Sequence, residues 1–514
     1  MKLTFILAIL ILTTAVQGQI EHLARYELEH DWDNLDYVVI SNLEKGALVV
    51  QPQVKGMTDE YPVVFHHLNR DLEFQWADTL AVSRRMQLRG YHYVDNKNIL
   101  LFQNTQFKRR IKIVVIDTKE KDLQQFEPKN IVDLEITEFE VIKDHVIIGG
   151  YIQERPAVFA YDLKTDKVKT LSNVFQNRSE LLEVKINSDS LTFNVLSSIE
   201  TETRDRTIAV NTYDFAGNAI RNYQLVTEKE HQLLTGVSSS ILDKEQVVVG
   251  LYCVRAGTFP SGLFVNHVDR TGIQTMKYYT FGEFDTFLEH EGVRRAGKLR
   301  EKALDFKDSK RVWRYKTDVL FDEMKEAEDG LMVLGEFFKP WSMNTQNYMK
   351  QKFGLSDFND FNDPIRNNRE FYGFNPLVRS GRNQRGDIDF THAFALKLDP
   401  KGNILWDDSM IIDEDLESPL RNFGAFQWSG TSARYAYYLD QEIVAQPFIS
   451  DTTSRMIEEI KLMEEDEKVT YDNEEFQGIV GWYDNHFLVF GVHSVKSDES
   501  GRRKVFFLNA ITVK

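Results

Sequence analysis

The stretch that decides the fold is FTHAFALKLDPKGNILWDDSMII, residues 390–412. In 393–398 apolar side chains alternate with smaller or polar ones, which is the period of two of a half-buried β-strand. Residues 399–403, DPKGN, then supply turn chemistry, because proline presets φ and glycine adopts a left-handed conformation without steric cost. The apolar run resumes at 404–406. The stretch therefore predicts a β-hairpin.

Two related patterns recur along the chain. A polar turn followed by an apolar strand occurs at 44–51, 95–103, 144–150, 188–195, 243–250, 328–335, 440–447 and 484–491. Hairpins with Asp or Asn at the turn follow at 63–76, 113–126, 158–171, 209–223, 263–278 and 393–406. With one further strand before each turn of the first pattern, each unit has four antiparallel strands, A to D. The first pattern is predicted to join A to B, and the second to join C to D. Repeats of about 40–50 residues with four short strands are typical of a β-propeller.

The ends of the chain predict how the ring closes. The last unit ends after its third strand, and LARYELE at 23–29 offers a fourth. Pairing the two would hide an edge strand that otherwise promotes aggregation. We therefore expect a single all-β propeller over 19–514, with eight four-stranded blades as the main count and seven as the alternative.

The N-terminus resembles a secretory signal. MKLTFILAILILTTAVQGQ has Lys2, an apolar core and small residues up to Gly18, which predicts a signal peptide over 1–18. The apolar run is shorter than the ~20 residues that span a bilayer, so no transmembrane anchor is expected. We expect an exported protein, periplasmic or extracellular. Its single cysteine, Cys253, allows no intrachain disulfide.

Composition and motifs exclude several classes of function. The net charge of −17 over 514 residues disfavours binding to nucleic acid. The chain has no P-loop, GxSxG elbow, HExxH or CxxC motif, and its histidines lack metal-ligand spacing. We assign no cofactor, no metal and no catalytic residue. His92, Glu138, Glu140, Glu183 and Lys185 fall on or near inner strands, where they would contact channel water or act as acids and bases.

Two insertions interrupt the repeat, at 284–311 and 340–389. The first joins strand D of the fifth unit to strand A of the sixth, and the second joins B to C of the sixth. By strand parity both emerge on one face of the disc. Long loops in compact folds commonly carry function.

The first insertion is part helical and basic. Residues 294–316 contain ten Lys or Arg against three acids. Our candidate ligand-binding residues here are Arg294, Arg295, Lys298 and Arg300. They would dock an acidic partner, a polyanionic glycan or lipid headgroups, or else form a solvated helix face paired with the acidic blades.

The second insertion is rich in aromatic residues. Trp341, Tyr348, Phe371 and Tyr372 are the candidates, because aromatic rings in long loops stack on sugars or anchor a protein partner. The alternative is that they pin the loop to the disc. Asp357, Asp360 and Asp363 are spaced by three, not by the two of an EF-hand, so no calcium site is expected.

The hairpin motif resembles the repeat of quinoprotein dehydrogenases and of the eight-bladed barrel-assembly scaffold of the bacterial outer membrane. One cysteine cannot supply the adjacent cysteine pair of the quinoproteins. Residues 315–338, 390–393 and 402–408 are similar to a family of exported Bacteroidota β-propeller proteins. That resemblance implies a propeller in the cell envelope with no assigned active site.

These observations leave two hypotheses for function. The first is a monomeric, non-catalytic envelope propeller that binds a protein or glycan through the insertion-bearing face. The second is a glycan-active hydrolase or lyase using carboxylates and histidine at the channel mouth. An enzyme requires acids or a histidine that converge in a concave pocket on that face.

Overall fold

The chain folds into eight antiparallel sheets arranged in a ring. The computed structural model describes residues 19–30, 37–53, 58–129, 131–201, 205–241, 244–254, 259–309, 311, 313–327, 329–340, 388–416, 422–449, 455–463, 467–472, 477–497 and 501–514. The expected signal peptide, 1–18, lies outside the described residues. The sheet topology confirms the predicted eight-bladed β-propeller.

The first four blades are regular, with four strands each in sequence order. Strand β1 (Ile20–Glu29) precedes them. Blade 1 comprises β2 (Val38–Ser41), β3 (Ala47–Pro52), β4 (Glu60–Leu68) and β5 (Phe74–Ser83). Blade 2 comprises β6 (Met86–Val94), β7 (Lys97–Asn104), β8 (Ile111–Asp117) and β9 (Asp122–Phe126). Blade 3 comprises β10 (Glu135–Ile142), β11 (His145–Ile152), β12 (Arg155–Asp162) and β13 (Lys167–Thr170). Blade 4 comprises β14 (Ser179–Asn187), β15 (Thr192–Glu200), β16 (Arg206–Asp214) and β17 (Ala219–Gln224).

The innermost strand is split in blades 6 and 8. Blade 5 comprises β18 (His231–Ser238), β19 (Gln246–Val254), β20 (Gly262–Val268) and β21 (Gln274–Thr280). Helix α1 (Val293–Asp308) follows it. Blade 6 comprises β22 (Asp318–Phe321), β23 (Lys325–Ala327), β24 (Gly330–Pro340), β25 (Ile388–Leu398) and β26 (Ile404–Leu416). Blade 7 comprises β27 (Ala425–Trp428), β28 (Ala433–Leu439), β29 (Glu442–Phe448) and β30 (Met456–Glu459). Blade 8 comprises β31 (Lys468–Asp472), β32 (Gly478–Gly481), β33 (His486–Ser497), β34 (Gly501–Val513) and, as its outer strand, β1.

The N-terminal strand closes the ring as predicted. Strand β1 pairs antiparallel with β34 from Ile20 opposite Val513 to Glu29 opposite Val505. At its start the backbone N–H of Lys514 donates to the carbonyl of Gln19 at 3.0 Å. The last blade is thus built from both ends of the described chain, and β34 is not left as an edge.

The core lies between the blades, because the middle strands are buried on both faces. In β7, Leu100 and Phe102 pack against blade 1, whereas Ile99 and Leu101 pack against blade 3. Successive side chains of a strand point to opposite faces, so a continuous apolar run serves two neighbours at once. Hydrophobic clusters of this kind fill every junction between adjacent blades.

Carboxylates organise the turns between third and fourth strands. Asp399 accepts hydrogen bonds from the backbone N–H groups of Lys401 at 2.9 Å and Asn403 at 2.8 Å. Gly402 has a φ of 75°, and a Cβ there would lie 2.5 Å from Cγ1 of Val265 in the preceding blade. The turn in the opening stretch is therefore structural, as its sequence predicts.

One predicted repeat was placed one strand too early. The turn Asp440-Gln441 joins β28 to β29, the second and third strands of blade 7, and not the first to the second. Both turn residues have positive φ, 51° and 67°. This two-residue turn connects any pair of antiparallel strands, so its sequence does not reveal which pair it joins.

Removing residues 19–30 should open the ring. We expect aggregation, seen by size-exclusion chromatography, and a lower melting temperature, because β34 becomes an exposed edge. A matched control joins Lys514 to Gln19 by a short linker and opens the chain between residues 30 and 37, which keeps the pairing. Unchanged melting of the deletion would contradict closure by β1.

Asp399→Ala should destabilise the blade 6 turn. Partial burial would raise the pKa of Asp399, but hydrogen bonds from Asn403 lower it, so its stabilising effect is present at neutral pH. We expect the melting temperature to fall by about 1–3 °C at neutral pH. The difference should vanish as pH falls below the ordinary value of 3.8 and through the lowered pKa. Asp189→Ala, in an exposed turn, is the control; a loss independent of pH would contradict the assignment.

Candidate functional site

Helix α1 is mounted on blades 5 and 6 by an aromatic cluster. Phe281, Phe284 and Phe287 precede the helix and are fully buried. Phe287 meets Phe337 of β24 edge to face at 4.8 Å, and Phe284 meets Phe394 of β25 at 5.6 Å. Burial of large aromatic rings is a strong anchor. The predicted helix exists, but the aromatic residues lie in the segment before it.

Hydrogen bonds from blade 6 fix the same segment. Asp407 of β26 accepts the backbone N–H groups of Asp285 and Thr286, both at 2.8 Å, and the Thr286 hydroxyl at 2.7 Å. Arg300 of α1 donates to the carbonyl of Phe284 at 3.1 Å. The helix is thus tied to the disc by polar as well as apolar contacts.

The four basic candidates divide into two pairs. Arg295 lies 2.9 Å from Glu291, and Arg300 is bound to backbone carbonyls. Arg294 and Lys298 are exposed and have no hydrogen bond or ion pair with any described residue. They lie one helical turn apart on one face. They alone of the four candidates are left available to a partner.

The cationic surplus is smaller than the sequence count implies. The segment before α1 is acidic, and it packs against the helix. Glu283 pairs with Lys307, and Glu291 pairs with Arg295, so part of the helix charge is neutralised within the insertion. Arg294 and Lys298 lie in the first turns of α1, where Val293 is 93% exposed.

The second insertion lies almost wholly outside the described residues. Trp341, Tyr348, Phe371 and Tyr372 lie outside the described residues, as does the acidic run at 357–363. The two strands that flank this insertion, β24 and β25, are described. Lys339 of β24 contacts Glu291 at 2.9 Å, so the root of the second insertion adjoins the first.

A titratable cluster lies beside Lys339, at the end of β24. The Tyr315 hydroxyl donates to Glu291 at 2.6 Å and lies 2.9 Å from Nε2 of His290. Lys339 donates to the same Glu291 oxygen at 2.9 Å. Burial and the hydrogen bond to Glu291 raise the pKa of Tyr315, so the phenol keeps its proton. Burial would raise the pKa of Glu291, but hydrogen bonds from Tyr315 and Lys339 lower it.

A second histidine completes this cluster. His392 of β25 stacks on His290 with ring centroids 4.5 Å apart and on Phe337 at 5.1 Å. Burial, followed by the nearby charge of Lys339, lowers the pKa of His290 to about 4. Burial lowers the pKa of His392 well below its ordinary value. Both rings are therefore neutral at physiological pH.

Sequence reasoning missed this cluster. His290 and Glu291 are adjacent in the chain, but Tyr315, Lys339 and His392 come from three other segments. No spacing rule links residues so far apart. The one local signal is the pairing of His290 with Glu291 inside an insertion.

The predicted channel residues lie on inner strands and hold the blades together. His92 of β6 lies 3.4 Å from Glu140 of β10. Lys185 of β14 donates to the carbonyls of Ser238 at 3.0 Å and Met324 at 2.8 Å, so one side chain links blades 4, 5 and 6. A buried ammonium with such partners is a structural tie.

Two further channel candidates are buried carboxylates. Glu183 accepts hydrogen bonds from the backbone N–H and the hydroxyl of Ser238, at 2.9 and 2.7 Å. Glu138 is buried on the neighbouring inner strand. Glu183 thus ties blade 4 to blade 5.

An active site requires titratable groups that converge and that substrate can reach, and the cluster at His290 meets only the first condition. His290, Glu291 and Tyr315 converge within hydrogen-bond distance, but the side chains of His290 and Glu291 are each only 5% exposed. Over the described ranges, no group of three or more His, Cys, Asp or Glu side chains could hold a metal ion. No helix among those residues is long and apolar enough to cross a membrane.

A cavity of about 320 Å³ lies between blades 7 and 8. Its lining includes Asp440, Glu442, Glu459 and Glu467. Glu467 is committed to Arg503, which donates to it from two nitrogens. Acidic residues on a cavity wall do not by themselves define a site, and no function is assigned to this one.

Comparison with known proteins finds only remote structural likenesses. No family model and no curated protein matches the chain. Among solved structures, the polysaccharide lyase Uly1 is 9% identical, with a TM-score of 0.41 over 83% of this chain and 90% of that one. The β-propeller domain of the trilobed protease from Pyrococcus furiosus is 10% identical, with a TM-score of 0.35 over 82% and 98%. The Dos1 propeller is 8% identical, with a TM-score of 0.37 over 83% and 92%. Likenesses this remote do not bear on activity.

Tyr315→Phe should weaken the attachment of the insertion to blade 6. The phenylalanine keeps the ring packing but removes the contacts to Glu291 and His290. We expect the melting temperature to fall by about 1–3 °C. Tyr471→Phe, on an exposed strand, is the control and should change little. Equal melting of both variants would show that the hydroxyl does not stabilise the cluster.

Proposed function

We propose that the chain is an exported, non-catalytic β-propeller that binds an acidic patch on a protein partner through the first turns of α1. The observation that carries this proposal is the pair of exposed cations, Arg294 and Lys298, on a helix that is rigidly mounted. A preorganised surface binds with less loss of conformational entropy than a free loop. An export route and a periplasmic or extracellular location are part of the same proposal.

A protein partner fits the chemistry better than a long polyanion. Of the four basic candidates only Arg294 and Lys298 have no partner among the described residues, Arg295 and Lys307 are paired with acids of the insertion, and the chain as a whole carries −17. A polyanionic glycan would meet repulsion beyond this small patch. Val293, 93% exposed beside Arg294, adds the apolar contact that accompanies Arg in protein interfaces.

The alternative hypothesis is a glycan-active enzyme. A glycan-active enzyme needs an accessible group of acids or histidines, and the cluster at His290 is buried. Binding of a polyuronate such as alginate, insensitive to the charges of α1, would favour the glycan hypothesis over this one.

Site-specific cross-linking tests the proposal. A photoreactive residue at Val293, introduced into the full chain in the producing cells, should cross-link one envelope protein, which mass spectrometry identifies. The purified partner should bind the chain in a salt-dependent way. Arg294→Glu with Lys298→Glu should weaken its affinity at least about tenfold, since each reversed charge repels the acidic patch.

The matched control reverses two other exposed lysines. Lys119→Glu with Lys401→Glu alters the net charge equally but in turns between third and fourth strands. These turns emerge on the opposite face. Affinity should stay within about twofold of the wild type. Equal losses in both variants would refute a specific surface on α1.

A further inference from the structure

Two histidines from different parts of the fold meet at one contact. His290 belongs to the short helical turn Glu289–Glu291 of the insertion, and His392 belongs to β25 of blade 6. Their rings are nearly parallel, at 17°, with centroids 4.5 Å apart. The stack exists only while the insertion is docked on the blade. The protonation of these rings is therefore coupled to docking.

Among the described residues, no carboxylate lies within hydrogen-bond distance of His392. The residue is 1% exposed, and its Nε2 has no hydrogen-bond partner among the described residues. Phe337 stacks on one face of the ring, and Phe287 meets it edge to face at 4.7 Å. Its Nδ1 contacts only the Thr391 hydroxyl, at 2.9 Å. A proton on this ring would be buried without a counter-ion.

Charges of both signs face His290. Glu291 and Asp413 favour its protonation, whereas Lys339 opposes it. Glu291 is already bound by Tyr315, Lys339 and Arg295. The titratable and charged groups around His290 are Glu291, Arg295, Tyr315, Lys339, His392 and Asp413. Burial is the largest influence on the pKa of His290, and it favours the neutral ring.

We propose that the His290–His392 stack is an acid-sensitive latch, which holds the insertion on blade 6 while both rings are neutral and loosens it when they take up protons. In the released insertion the rings would be hydrated and would titrate normally. Protonated rings could not restack face to face beside Lys339, because like charges would be buried together. The latch regulates the surface assigned under the proposed function, and its consequence for binding rests on that assignment.

The sign of the effect follows from linkage. The pKa of His290 is about 4 when docked, against an ordinary value of 6.5. Because docking lowers this pKa, docking is fully favoured when the pH is above 6.5. It weakens as the pH falls from 6.5 toward about 4, the pKa in the docked state. Between about pH 7.5 and about pH 5, this one histidine would shift the docking equilibrium by roughly 30-fold. His392 adds to the shift in the same direction.

Hydrogen exchange of the full chain tests the latch without any partner. Exchange of the segment 284–308, corrected for the intrinsic effect of pH, should be at least about tenfold faster at about pH 5 than at about pH 7.5. His392→Phe keeps an aromatic ring in the stack but cannot titrate. His290→Gln keeps a polar group near Tyr315. Each single variant should lose part of the pH response, and the double variant should lose most of it.

A histidine in another blade provides the control. His66 lies 2.9 Å from Gln51, and burial lowers its pKa as well, but it lies in blade 1. His66→Gln should leave the response of 284–308 intact. Exchange of the wild type that does not change with pH would overturn the latch, and so would a response that persists undiminished in the double variant.

A measurement on the wild type tests the latch even if the variants release the insertion at every pH. Titration of the wild-type imidazoles by NMR should give His290 a pKa below about 5, and a value near 6.5 would overturn the proposal. Failure of the latch and failure of the binding function are distinguishable. The first appears in exchange and titration without a partner, and the second in cross-linking at about pH 7.5.

Discussion

The pairing of β1 with β34 is the constraint on which the rest of the structure depends. Each blade buries its two apolar faces against its neighbours. All of these faces are covered only if every one of the eight blades is complete. Blade 8 obtains its outer strand from the start of the described chain. Without it, the unpaired N–H and C=O groups of β34 would be exposed, and the packing of blades 7 and 1 against blade 8 would weaken.

Local turn chemistry explains how much of this fold the sequence predicts. In hairpins such as the one at Asp399, nearby residues determine the turn, because the carboxylate accepts hydrogen bonds from backbone N–H groups and glycine adopts a positive φ. The closing strand was also predictable, since the last unit lacked a partner for its third strand. Blade 7 was misread because Asp440-Gln441 forms a turn suited to any hairpin. Its neighbours in the sheet, not its residues, decide its position.

The candidate site was less predictable because its contacts are long-range. The sequence predicts the basic helix, in which Arg294 and Lys298 are exposed. It did not show that Glu283 and Glu291 fold against the helix and neutralise Lys307 and Arg295. Net charge counted along a segment omits such neighbours. The cluster around Tyr315 depends on contacts among segments tens of residues apart, which no pattern of spacing reveals.

A rigid mounting of α1 is the central claim, since both the proposed binding surface and its control by pH require a helix held in one position. Pulsed electron resonance between spin labels at Glu301→Cys and Lys401→Cys tests it directly, because the native Cys253 is buried and burial raises the pKa of its thiol to about 11. At about pH 7.5 the distance distribution should be as narrow as that of a Lys119→Cys and Lys401→Cys pair within the ring. A broad distribution from the helix label alone would contradict the account.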